Sequence, residues 1–306
     1  MRLLRRNNDG KYSLTEFVPD AVPRYAILSH TWGPNHDEVT FADLKKDTGT
    51  TKAGYRKLHF CADQAAKDNI RYFWVDTCCI DKSSSAELTE AINSMFAWYR
   101  DAARCYVYLS DVSTGGLTSG TPTQQDWIHA LQQSRWFTRR WTLQELVAPT
   151  SVEFFSVEGE RLGNKYTLVQ ELHGITGISV AVLQGSPPHQ LSIDERMSWV
   201  GQRQTKLEED MAYSLLGIFD VHMPLIYGEG REKALVRLQR EIKAASSGEQ
   251  SSLPQNEASQ NHSQATHSYN GSVFHGPISG RYVVPGTHVT GGTVNFNLGE
   301  ERDVRV

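Results

Sequence analysis

The sequence predicts an α/β fold with a mainly parallel sheet and flanking helices, followed by a helical part, a disordered linker and an uncharged, β-prone tail. Three observations carry this. Short apolar runs alternate with amphipathic stretches up to about residue 155, the signature of strand–helix–strand units whose sheet is covered on both faces. Beyond residue 190 the apolar spacing turns helical. After residue 245 the chain loses nearly everything it could bury.

The elements follow in order. Residues 25–29 (YAILS) are a short apolar run, read as a buried strand. Residues 54–68 place Tyr55, Leu58, Cys61, Ala62, Ala65 and Ala66 on one helical face. Residues 72–75 (YFWV), aromatic and β-branched, give a second strand ending at Asp76. Ser84 and Glu87 have the spacing of a capping box, and behind them Leu88, Ile92, Met95, Phe96 and Tyr99 form an amphipathic stripe. Residues 105–109 (CYVYL) are a third strand, and a Gly/Ser/Thr/Pro-rich loop fills 113–123. Residues 141–147 read as helix, stopped near Pro149, and 152–155 as a fourth strand. Later, Met211, Leu215 and Ile218 share one helical face and Leu235, Leu238 and Ile242 another.

The 306 residues carry 31 Lys+Arg against 35 Asp+Glu, and this near-neutral balance argues against a bulk nucleic-acid binder. No run approaches the roughly 18 apolar residues of a membrane span. The basic start MRLLRRNNDGKY lacks the apolar core of a signal peptide, so a cytoplasmic protein is expected. Cys61, Cys78, Cys79 and Cys105 are too few for a disulfide framework in a chain of this length, and the adjacent pair has no zinc spacing. They read as small buried hydrophobes. Residues 1–245 form one domain on this reading. Residues 246–270 contain seven Ser, four Gln and no Lys or Arg, so 246–268 are expected to be a disordered linker. Residues 269–298 form a distinct module, rich in Gly, Val, Thr and Asn, with Arg281 as its single formal charge.

Familiar catalytic signatures are missing. There is no G-x-G-x-x-G after a strand, no Walker lysine loop, no G-x-S-x-G elbow and no H-E-x-x-H. The eleven His do not cluster at metal-ligand spacings. Three polar clusters remain, each after an inferred strand or opening the helix that follows. They are Ser29-His30-Thr31-Trp32-Gly33, Asp76-Thr77 with Asp81, and Arg139-Arg140-Trp141 with Glu145. In an open parallel sheet the carboxyl ends of the strands line the ligand crevice. Polar groups gathered there define the default site. The competing reading makes Ser29 and Asp76 turn and N-cap residues, Trp32 and Trp141 core aromatics, and Glu145 the partner of an arginine.

Six blocks in order resemble the fungal heterokaryon-incompatibility (HET) domain. They are YAILSHTWG (25–33), YFWVDTCCIDK (72–82), AELTEAINSMFAWYRDAARCYVYLSDV (86–112), SRWFTRRWTLQEL (134–146), RMSW (196–199) and EEDMAYSLLGIFDVHMPLIYGEG (208–230). The resemblance covers a core of about 25–243 and implies regulated cell death when unlike fungal cells fuse or an upstream receptor fires. The order of blocks is also similar to TIR domains, which implies a TIR-like, Rossmannoid sheet. WTLQEL (141–146) looks like their tryptophan–cysteine–x–x–glutamate–leucine helix, with Thr142 where the cysteine would stand. Many TIR domains cleave nicotinamide from NAD with that glutamate. Carried over, Glu145 is the catalytic candidate, and Ser29, Trp32, Asp76 and Trp141 line the pocket. No cofactor is required, NAD being the candidate substrate. One carboxylate suffices chemically. It stabilises an oxocarbenium-like state, and the pyridinium leaving group is already cationic. The alternative is a non-enzymatic module whose clustering recruits or disrupts other components.

In the tail, the short β-prone runs around Val273-Phe274, Val283-Val284, Val289 and Thr293-Val294-Asn295-Phe296 are separated by Pro and Gly. Nearly uncharged, identical copies could stack in register. The alternative is a plain polar tail. The module resembles the prion-forming, amyloid-signalling motifs of fungal death proteins, near the HET-s and sigma types, although it is one copy where the HET-s type has two pseudo-repeats. The resemblance implies a NOD-like receptor with a matching motif as partner, and homo-oligomerisation on activation.

Overall fold

The structure, a computed structural model, describes residues 1–115 and 124–246. The expected linker beyond Ser246, the module at 269–298 and most of the loop at 113–123 lie outside the described residues.

Seven strands form one sheet: β1 (Arg2–Arg6), β2 (Tyr12–Glu16), β3 (Tyr25–His30), β4 (Tyr72–Trp74), β5 (Arg104–Tyr108), β6 (Val152–Phe155) and β7 (Arg161–Asn164). Their order is β2-β1-β4-β3-β5-β6-β7. The four apolar runs read from sequence are its centre, β4-β3-β5-β6, and pair in parallel. All six residues of β3 are buried, because helices cover both faces and strands pair on both edges.

The sheet is mixed, which corrects the mainly parallel expectation. β1 pairs antiparallel with both β2 and β4, and β6 pairs antiparallel with β7. Both flanks are hairpins, which need only a tight turn where a parallel pair needs a crossover. The first turns at Asn7–Gly10, where Gly10 has φ +83°, and the second closes through Gly159, φ +84°. Leu3 and Leu4 are adjacent and point to opposite faces of β1, yet both are fully buried. Such a strand shows no alternation to read.

The Tyr55–Lys67 helix connects β3 to β4 and buries Leu58, Phe60, Cys61, Ala62 and Ala65, while of the expected face Tyr55 is half-buried and Ala66 exposed. The Ser85–Arg100 helix connects β4 to β5 and buries Ala91, Ile92, Met95 and Tyr99. β4 and β5 lie on opposite sides of β3, so right-handed crossovers place these two helices on opposite faces. The carboxyl ends of β3 and β5 are therefore the point where the chain diverges to both faces, the place where open α/β sheets bind ligands.

Ser84 accepts from the Glu87 N–H at 3.4 Å, as a cap should. The return half of the expected capping box is absent. The Glu87 carboxylate instead accepts from the Asp81 N–H at 2.7 Å and pairs with Arg2. The part beyond residue 190 is helical but broken into short pieces, Ile193–Ser198, Asp210–Tyr213 and Leu216–Phe219, before the long Arg231–Ser246 helix. Leu216–Phe219 packs on Ser85–Arg100 so closely that a Cβ at Gly217 would lie 2.0 Å from Phe96 Cβ. Only glycine permits that approach.

Candidate functional site at the carboxyl end of the sheet

Ser29 is the fifth residue of β3 and wholly buried. Its hydroxyl accepts from Trp136 Nε1 at 2.8 Å and donates to Glu145 Oε2. Glu145 sits on the Thr142–Val147 helix, every residue of which is buried. Burial pushes its carboxyl up to about 8, the Ser29 hydrogen bond opposing and the nearby charge of Asp76 adding to the shift. Glu145 is thus largely protonated at neutral pH. No arginine pairs with it among the described residues, so the ion-pair reading of this side chain does not describe the fold.

Asp76 opens the helical turn Asp76–Cys79 after β4. Its carboxylate accepts from His30 Nε2 at 3.0 Å and from Trp32 Nε1 at 2.7 Å. Burial acts to raise its pKa, but the His30 hydrogen bond, the charge of Lys82 and the Trp32 N–H outweigh it. They hold the group well below the usual carboxylate range. The site thus places two carboxyls side by side in opposite states, Asp76 ionised and Glu145 neutral.

Both tryptophans are half-buried rather than sealed in the core. Lys82 Nζ stands 3.7 Å from the centre of the Trp32 ring, and the Arg139 guanidinium lies 5.8 Å from it. Trp141 donates from Nε1 to Asp210 Oδ2 at 3.1 Å, and Tyr227 donates to Oδ1 at 3.0 Å. A cavity of about 750 Å³ opens between these groups, with Trp32, Asp76, Trp141, Glu145 and Asp210 on its walls. That volume suits a nucleotide-sized molecule. Ser29 stands behind Glu145, not on the wall. Of the other residues in the three polar clusters, Arg140 turns away from the cavity, its Nη1 reaching Met211 Sδ at 3.3 Å.

The wall has a second half that the sequence clusters did not contain. The Arg139–Arg140 segment and residue Gln204 pair as a short parallel bridge, with Gln204 N–H donating to Thr138 O at 2.7 Å. This brings Lys206, Leu207 and Asp210 to the cavity, and Lys206 Nζ reaches Asn35 Oδ1 at 2.7 Å. Asp210 and Tyr227 were visible in sequence only as members of the block 208–230, with no local signal of a site. Thr142 also has a structural use here. Its hydroxyl lies 2.6 Å from Trp136 O and 2.8 Å from Arg139 O, and it accepts from Arg203 Nη1 at 2.9 Å. A thiol accepts such a bond weakly, so threonine suits a neighbour with a buried arginine.

All four cysteines are free and buried, and burial pushes the Cys79 thiol up to about 12. None is a nucleophile at neutral pH. Among the described residues no group of His, Cys, Asp and Glu could hold a metal ion, and no helix is long and apolar enough to cross a membrane.

Comparison with known proteins finds a family match and a similar relative. Residues 25–126 match the family described as heterokaryon incompatibility protein (HET). Over 244 residues, 79% of this chain, the sequence is 58% identical to vegetative incompatibility protein HET-E-1 of Podospora anserina. The chain spans 18% of that relative's length. No solved structure matches. The chain carries a heterokaryon-incompatibility (HET) domain.

Proposed function

We propose that this chain is a cell-death effector of fungal incompatibility and that its HET domain cleaves NAD at Glu145. The observation that carries the chemistry is the seating of Glu145: a buried carboxyl at the divergence point of the sheet, facing a nucleotide-sized cavity with two indoles on its walls. In the reaction the bond between C1′ of the ribose and N1 of nicotinamide breaks, and its electron pair neutralises the pyridinium ring. The ionised Glu145 carboxylate stabilises the cationic sugar left behind. Water then adds to C1′ and gives up a proton. Ser29, held by Trp136, fixes the Glu145 rotamer, while Trp32 and Trp141 offer faces for ring stacking.

Activation on this reading belongs to the tail. The module at 269–298 assembles on a matching motif carried by a NOD-like receptor. Tethering then raises the local concentration of the folded domains of 1–245 through the linker at 246–268. The test is to cluster the full chain, add NAD and measure free nicotinamide, with Glu145→Gln alongside. Release by wild type and its loss in the variant is the expected result. Equal toxicity of both proteins, with no nicotinamide released, would leave the clustered domain acting as a non-enzymatic recruiting module.

A further inference from the structure

Three cations reach the mouth of this cavity from three separate segments, and none has an acidic partner within ion-pairing distance among the described residues. Lys82 follows the helical turn after β4, Arg139 precedes the Glu145 helix, and Lys206 lies on the segment bridged to Arg139 through Gln204. Lys82 and Arg139 share one indole ring, that of Trp32. Lys206 makes one neutral contact, to Asn35.

The cavity does not lack carboxylates. Each one already has a partner of its own, Glu145 in the Ser29 hydroxyl. Glu38 is paired with Lys57 at 2.5 Å. Asp76 accepts from His30 and Trp32 and feels the charge of Lys82 only without contact, and Asp210 accepts from Trp141 and Tyr227. Asp81 accepts from the backbone and hydroxyl of Ser83, at 3.0 and 2.5 Å. Holding two like charges over one ring costs Coulomb energy that a bound anion would remove. Two ammonium groups and a guanidinium on the walls of one cavity are the donors that bind the oxygens of a linked diphosphate.

We propose that Lys82, Arg139 and Lys206 form a diphosphate-binding rim, so that this pocket takes phosphorylated nucleotides and rejects the corresponding nucleosides. This deepens the NAD-cleavage reading by fixing where the ligand's phosphates sit: at the mouth over Trp32, with the glycosidic bond directed inward to Glu145. Binding of a diphosphate needs no cleavage, so the rim is testable even if nicotinamide is never released.

The experiment titrates the full chain with inorganic pyrophosphate, ADP and adenosine by calorimetry, following Trp fluorescence in parallel. Pyrophosphate and ADP should bind and adenosine should not. Binding should weaken as salt rises, since exposed charges are screened. Lys82→Gln and Lys206→Gln should each weaken pyrophosphate by about tenfold, the loss of one charge-assisted contact. Circular dichroism at the same concentrations checks that the variants stay folded. Pyrophosphate that fails to bind wild type, or binds folded Lys82→Gln and Lys206→Gln with unchanged affinity, overturns the rim. Adenosine binding as tightly as ADP overturns it as well. If nicotinamide is not released while the pyrophosphate pattern holds, the rim stands and only the cleavage reading falls.

Discussion

Replacing Glu145 by Gln should stabilise the protein, and the gain should grow with pH. The wild-type carboxyl titrates near 4.5 in an unfolded chain and at about 8 in the fold. Between those values the native state holds a proton that the unfolded chain has released, so native stability falls as pH rises. Each pH unit is worth about 1.4 kcal/mol. Integrating the two titrations gives a loss of about 1 kcal/mol at pH 5, about 3 at pH 7 and about 4 at pH 8. Against a domain stability of roughly 5–15 kcal/mol this is large. Glutamine keeps the shape, still accepts from Ser29 and cannot ionise, so the variant is free of the penalty. Urea denaturation of both proteins at pH 5, 7 and 8 measures the difference. A midpoint gap that widens with pH is expected. A gap that stays constant, or a variant less stable at pH 8, would refute a neutral Glu145 in the fold.

Three further outcomes can be measured, the last of them resting on sequence alone. Nicotinamide release by clustered protein should rise with pH in kcat/KM up to about 8, because this ratio reports ionisation in the free enzyme and Glu145 must lose its proton; a flat profile from pH 6 to 9 would remove Glu145 from the rate equation. Gly217→Ala should cost about 3 kcal/mol in a denaturation midpoint, the upper end of overpacking, because the new methyl would meet Phe96 at 2.0 Å. In the tail, Val294→Lys or Phe296→Lys would place like charges on every rung of a parallel stack and should stop a 269–298 peptide from forming cross-β fibrils, read by X-ray fibre diffraction; fibrils from either variant would refute assembly by in-register stacking.

The central sheet was legible because parallel strands buried on both faces appear as nearly continuous apolar runs, as 25–28 and 105–109 do. The flanking strands were not. β1 is two leucines between arginines, and β7 is the four residues Arg161–Asn164, neither with alternation nor length to announce a strand. The first half of the site could be read for a topological reason. Residues at or just after the ends of apolar runs must emerge at one end of a parallel sheet, so Ser29, Trp32 and Asp76 converge without any contact being known, while Glu145, inside a later helix, was singled out by the resemblance of its block. Trp136 lies in a quoted block, but nothing local says that its indole supports Ser29. Lys206 and Asp210 depend on a bridge between Arg139 and Gln204, sixty-five positions apart, which no periodicity encodes.

A neutral glutamate would be a poor stabiliser of a cationic sugar, and its charge state therefore bears on what the pocket can take. A ligand's positive ring at about 4 Å from Glu145 would favour the carboxylate by about 4 kcal/mol at an effective dielectric near 20. That is roughly three pH units. It would carry the carboxyl from about 8 to near 5, and so ionise it at neutral pH. The oxidised nicotinamide ring has this charge and the reduced ring does not. If the cleavage proposal holds, the burial that keeps Glu145 protonated would let the oxidised dinucleotide, and not its reduced form, ionise the carboxyl. Asp76 cannot take over this role. With both oxygens held by His30 and Trp32 it is ionised already, and its charge is part of what keeps Glu145 protonated until a cation arrives.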